Sequence, residues 1–175
     1  MRLFIAIQLN DRIRNVLTAV QGSLRQNKVR GHYTDVQNLH LTLAFIGEYG
    51  NADYVLEAME QVHFKDFPLS LDGSIGSFGD LLWAGAEQNR YLENLTRQFR
   101  HSLADYRIPF DKKKFNPHIT ILRKAEFAQD GHFNISSVNI SKAEMMVSEI
   151  SLMRSERGRH GMIYTEIGSI ISERK

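Results

Sequence analysis

Asn38-Leu39-His40-Leu41-Thr42-Leu43 and Asn116-Pro117-His118-Ile119-Thr120-Ile121 are the two stretches that decide how this chain is read. Each runs His, apolar, Thr, apolar. Side chains in a strand alternate between faces. His40 and Thr42 therefore point one way, while Leu41, Leu43 and Phe45 are expected to point the other. His118 and Thr120 share a face in the same manner, opposite Ile119 and Ile121. The apolar residues set the register, because a one-residue slip would turn them into water. If the strands lie side by side, two imidazoles and two hydroxyls line one groove. A single His-x-Thr is commonplace and usually structural. Its repetition at the head of two alternating apolar strands points to a shared site.

Outward from these motifs the pattern is strand, amphipathic helix, strand opening with His, met twice. Residues 3–9 read as a buried strand. Asn10 then reads as an N-cap, with Ile13, Val16, Leu17, Val20 and Leu24 at helical spacing. Residues 27–35 are polar and read as a loop, and residues 40–46 as a strand stopped by Gly47. Asn51 caps a second expected helix that buries Val55, Leu56 and Met59. Residues 68–75 and 81–86 read as strands joined through a glycine-rich turn at 76–80. Asn89 caps a third helix through Leu92, Leu95, Phe99 and Leu103. Residues 118–122, 147–153 and 162–170 read as later strands, the last two joined through a polar turn at 156–161.

The chain has 175 residues, 42% of them hydrophobic and 24% charged, which is the mix of an ordinary soluble domain. One domain, residues 1–175, is expected. No apolar run approaches the length needed to cross a bilayer, and no secretory signal is read at the amino end. There is no cysteine, which excludes disulfides and thiol nucleophiles and fits a cytoplasmic location. The net charge is only +2, so any contact with nucleic acid must come from local basic groups.

Paired imidazoles suit proton transfer, because with an ordinary pKa near ~6.5 one ring can be neutral while the other is charged. One takes a proton from a nucleophile and the other gives one to a leaving oxygen. Threonine hydroxyls can donate to phosphate oxygens, so the set suits attack at a phosphodiester. Zinc is the other reading of two imidazoles. It needs a third ligand, and no paired-ligand spacing is present. His32, His63, His101, His132 and His160 read as solvated. Strict alternation puts Arg123 on the face opposite His118, and it joins the groove only if the strand twists, bulges or ends near Leu122. Lys112, Lys113 and Lys114, and likewise Arg154, Arg157 and Arg159, are either solvated loops or guides for a polyanion. Phe4, Phe78 and Trp83 are either core or a stacking face for a base.

The paired blocks resemble the signature of the two-histidine phosphoesterase superfamily. They are most similar to the bacterial RNA 2′,3′-cyclic phosphodiesterases, also called 2′-5′ RNA ligases. Arg2-Leu3-Phe4-Ile5-Ala6-Ile7, the block from Asn38 to Glu48, Leu82-Trp83-Ala84-Gly85 and Pro117-His118-Ile119-Thr120-Ile121-Leu122-Arg123 all agree with that family. The resemblance implies a bilobal α+β fold, with two pseudo-symmetric lobes, each an antiparallel sheet with flanking helices, around a central cleft. It implies a monomeric enzyme without cofactor or metal, acting on RNA or a nucleotide that carries a 2′,3′-cyclic phosphate. Water opens the ring to leave a 2′-phosphomonoester, and some relatives join ends reversibly through a 2′-5′ linkage. By position, His40 and His118 are the catalytic pair, Thr42 and Thr120 bind phosphate oxygens and Arg123 contacts substrate. The implied roles have His118 activating water and His40, as imidazolium, protonating O3′. A non-catalytic RNA-end binder and a hydrolase of ADP-ribose 1″,2″-cyclic phosphate are the alternative readings. One departure is Asp80, where relatives often carry arginine three residues before the tryptophan.

Overall fold

The computed structural model describes residues 1–129 and 131–173. In chain order the elements are β1 (Arg2–Gln8), α1 (Asp11–Gln26), β2 (Arg30–Tyr33), β3 (His40–Glu48), α2 (Ala52–Glu60), β4 (Phe67–Phe78), β5 (Leu81–Ala86), α3 (Arg90–Asp105), β6 (His118–Glu126), β7 (Glu144–Val147), β8 (Glu149–Gly158) and β9 (Gly161–Ile171). They form an α+β fold of two sheets, ordered β3-β1-β8-β9 and β2-β6-β5-β4-β7, with antiparallel neighbours throughout.

All three expected N-caps are in place. Asn10, Asn51 and Asn89 each accept a hydrogen bond from the backbone N–H three residues on, at Ile13, Tyr54 and Leu92. Behind the first cap, Ile13, Leu17, Val20 and Leu24 are buried along one stripe of α1. α3 buries Leu92, Leu95, Phe99 and Leu103 in the same way. One continuous apolar cluster runs from Leu3, Ile5 and Ile7 of β1 to Ile119 and Ile121 of β6. Buried Gln21 fixes α1 to the second sheet, its Nε2 donating to the carbonyls of Thr34 and Ile121.

The two lobes repeat one plan. In each, the strand before a long helix pairs with the strand that opens on a motif histidine: β1 with β3, and β5 with β6. A third strand flanks each pair, β8 beside β1 and β4 beside β5.

Several expectations need correction: the strand expected over 147–153 divides at Ser148, and the turn expected over 156–161 shrinks to Arg159 and His160. Residues 27–35 are not all loop, because Arg30–Tyr33 is an edge strand on β6, in the opposite lobe from the strand that follows it. Its Arg-Gly-His-Tyr sequence has no apolar alternation, so backbone pairing alone marks it as a strand. Glu144–Val147 is a short edge strand on β4 that the pattern does not announce. The turn at 76–80 shrinks to Gly79 and Asp80, since β4 continues to Phe78. Gly76 lies within β4, cross-strand from Trp83, whose indole fills the space a side chain would take; a Cβ there would stand 2.3 Å from the ring. Gly76→Ala is expected to cost about 1–3 kcal/mol through this overpacking. Denaturant unfolding checks it, and a loss under ~0.5 kcal/mol would show that the indole moves freely.

Candidate active site

The motif histidines open β3 and β6, and each is held by the same bond. His40 Nδ1 lies 2.7 Å from the carbonyl of Asn38, and His118 Nδ1 lies 2.6 Å from that of Asn116. A carbonyl only accepts, so both Nδ1 atoms carry hydrogen and both Nε2 atoms remain for chemistry. His40 Nε2 stands 2.9 Å from Thr42 Oγ1. The neutral ring accepts from that hydroxyl, and the imidazolium donates to it.

Both motif strands then bulge in the same place. In β3, Ala44 pairs with Ile5 and Thr42 with Ala6, leaving Leu43 as an extra residue. In β6, Leu122 pairs with Leu82 and Thr120 with Trp83, leaving Ile121 extra. Consecutive residues Leu43 and Ala44, and Ile121 and Leu122, are all buried as a result. Beyond the bulge the alternation is reversed. Arg123 thereby reaches the histidine face, the condition that its spacing leaves open. Its charge acts on His40 from the other lobe.

The same reversal corrects the expectation for Phe45. It does not point away from His40 but packs with Phe4, Ala6, Met153 and Tyr164 on the face of the sheet that carries His40. Phe45 is the pseudo-symmetric counterpart of Arg123, so the two ends of the cleft differ chemically although their backbones match.

His40 is wedged between rings, with centroids 4.8 Å from Phe4 and 5.3 Å from Tyr164. In the strand ladder Tyr164 belongs to the opposite corner: it pairs with Ser155, which pairs with Arg2, whereas His40 pairs with Gln8. Twist accumulated across four strands brings these diagonal corners together. Asn38 Nδ2 closes them by donating to the carbonyl of Met162 at 2.9 Å. Burial therefore pulls the His40 pKa below the ordinary imidazole value. The charges of Arg123 and His118 pull the same way, and the bond to Asn38 opposes them. His118 is more open. Phe78 meets it edge-on at 5.3 Å and Trp83 lies 6.0 Å away. Cross-strand from His118 is Gly85, whose missing side chain leaves room for the Asp72 carboxylate and Ser74 Oγ.

The candidate site sets His40 and Thr42 within reach of the charges of His118 and Arg123, with Thr120 cross-strand from Trp83 and with Phe45 and Tyr164, which the spacing does not single out, in one cluster. Of the aromatic residues left open between core and stacking face, Phe4 is buried and Phe78 exposed. Among the described residues, no cluster of three His, Cys, Asp or Glu could hold a metal ion. No helix of the described residues is long and apolar enough to cross a membrane.

Comparison with known proteins gives a consistent picture. The 2′-5′ RNA ligase superfamily profile matches residues 9–159. The RNA 2′,3′-cyclic phosphodiesterase of Methanothermobacter thermautotrophicus is 27% identical, covering 95% of this chain and 96% of that protein. That of Thermotoga maritima is 26% identical, covering 94% and 91% respectively. The crystal structure of E. coli LigT complexed with 3′-AMP superposes with a TM-score of 0.79 at 26% identity, covering 99% of this chain and 98% of LigT.

Proposed function

Since this chain belongs to the 2′-5′ RNA ligase superfamily, we propose that it opens 2′,3′-cyclic phosphates at RNA ends by histidine acid–base catalysis without a metal. The observation that carries the reading is the matched pair of imidazoles. They stand on different sheets, close enough for the His118 charge to act on His40, each with Nδ1 bonded to the backbone carbonyl two residues before it.

The phosphate sits between the two Nε2 atoms. His118, the more open ring, takes a proton from water as its oxygen attacks phosphorus. The P–O3′ bond breaks on the opposite side, and His40 as imidazolium delivers its proton to O3′. A 2′-phosphomonoester remains. Thr42, Thr120 and Arg123 hold the non-bridging oxygens, whose charge grows as the fifth bond forms. The half-buried position of His40 makes its imidazolium more acidic than an ordinary one, and the bound phosphate anion keeps it charged until transfer.

Incubation with adenosine 2′,3′-cyclic phosphate in the presence of EDTA should yield adenosine 2′-monophosphate. A 3′-monophosphate would reverse the assignment of the leaving atom. Binding without turnover would favour an RNA-end binder. Activity abolished by EDTA and restored by zinc would favour a metal site.

His40 also has a direct readout. In the free protein its NMR titration should lie below the usual imidazole value of about 6.5, and saturating adenosine 2′-monophosphate should move it up. A depressed histidine favours the neutral fold, so its contribution to stability is present above about pH 6.5 and is lost as pH falls through the folded-state pKa. No upward movement on binding would remove His40 as the proton donor.

A further inference from the structure

If His40 protonates O3′, the nucleoside lies on His40's side of phosphorus, because the leaving oxygen stays on its own ribose. Water enters from the side of His118. The chain that precedes the cyclic nucleotide must then run outward past His40.

The tip of the β8–β9 hairpin stands there. It is latched to Asn38, two residues before His40, through the carbonyl of Met162. Arg157 is the cross-strand partner of Met162, and Ser155 that of Tyr164. Two residues along a strand return to the same face, so Arg157 shares the face of Tyr164, the ring that packs against His40. It lies about 7 Å further along the strand. Arg159 and His160 form the turn beyond it, and Arg157, Arg159 and His160 are all exposed. Arg154 is neutralised by Glu156 at 2.6 Å, but no ion pair among the described residues includes Arg157 or Arg159. The tip has a set shape, since Gly158 pairs with Gly161 and a Cβ on Gly158 would stand 2.7 Å from Ile163 Cδ1.

A second basic segment lies on a separate element. Lys112, Lys113 and Lys114 occupy a strap fixed by Arg100, whose guanidinium donates to the carbonyls of Lys112 and Lys113, and by the Asp111 N–H, which donates to the Phe45 carbonyl. That strap runs between β3, to which Asp111 is bonded, and the start of β6 at His118.

We propose that Arg157, with Arg159 beside it, binds the phosphate on the 5′ side of the cyclic nucleotide. The preferred substrate is then an RNA end or a 5′-phosphorylated nucleotide rather than a bare nucleoside cyclic phosphate. The proposal rests on the hydrolytic reading of the site.

The test compares kcat/KM for adenosine 2′,3′-cyclic phosphate with that for its 5′-phosphorylated form at low salt. The wild-type ratio should favour the 5′-phosphorylated substrate at least about tenfold, the scale of one charge-assisted hydrogen bond. It should fall toward one as salt rises. Arg157→Gln combined with Arg159→Gln should bring the ratio close to one. Lys112→Gln, Lys113→Gln and Lys114→Gln together should leave the ratio in place. Equal kcat/KM for the two substrates in the wild type overturns the proposal. So does a ratio lost in the lysine variant and kept in the arginine variant. Turnover of neither substrate would instead refute the hydrolytic reading, and this one with it.

Discussion

His40→Ala and His118→Ala are each expected to lower turnover of adenosine 2′,3′-cyclic phosphate by at least about 10²-fold, since each proton transfer typically contributes roughly 10²–10⁴. The two transfers flank one phosphorus centre, so the losses should not multiply, and the double variant should be little worse than the poorer single one. The variants differ in their effect on folding. His40 fills a gap between Phe4 and Tyr164, at centroid distances of 4.8 and 5.3 Å, so its removal leaves a void and lowers the melting temperature. His118 sits in a more open position and its loss should be milder. Steady-state kinetics alongside thermal unfolding separates chemistry from collapse. Folded variants with wild-type turnover would reject the acid–base pair outright.

Arg123→Ala is expected to reduce kcat/KM by about 10- to 100-fold, the loss of one charged hydrogen bond to a phosphate oxygen. Arg123→Lys should recover only part, because an ammonium cannot reproduce the planar two-pronged contact. A second readout ties the residue to its position. The charge of Arg123 is among the causes that depress His40, so in Arg123→Ala the His40 titration should shift upward. A merely solvent-facing arginine would leave both kinetics and titration unchanged, and that pair of results would remove Arg123 from the site.

Much of the site is legible in the order of the amino acids. Alternation places His with Thr, and the repeated motif gives the reason to look for one cleft. The three Asn caps are legible because an Asn side chain ahead of an apolar stripe has a local function, accepting the third backbone N–H. β2 and β7 are not legible, since short edge strands are held by what their neighbours offer and carry little apolar pattern of their own.

The placements of Phe45 and Arg123 show the limit most clearly. Simple alternation carried past Leu43 and Ile121 puts both on the wrong face. The bulges at Leu43 and Ile121 arise from the register against β1 and β5, which are distant stretches of chain.

Local sequence is therefore sufficient for the helices, the strands of the two motifs and the identity of the paired imidazoles, because these follow from the periodicity and chemistry of adjacent residues. Only the tertiary structure decides which side chains join them and how acidic they are. A bulge needs a partner strand to be counted against. The depressed pKa of His40 needs Tyr164 and a hairpin tip latched at Asn38, which sheet twist brings from the far corner of the sheet.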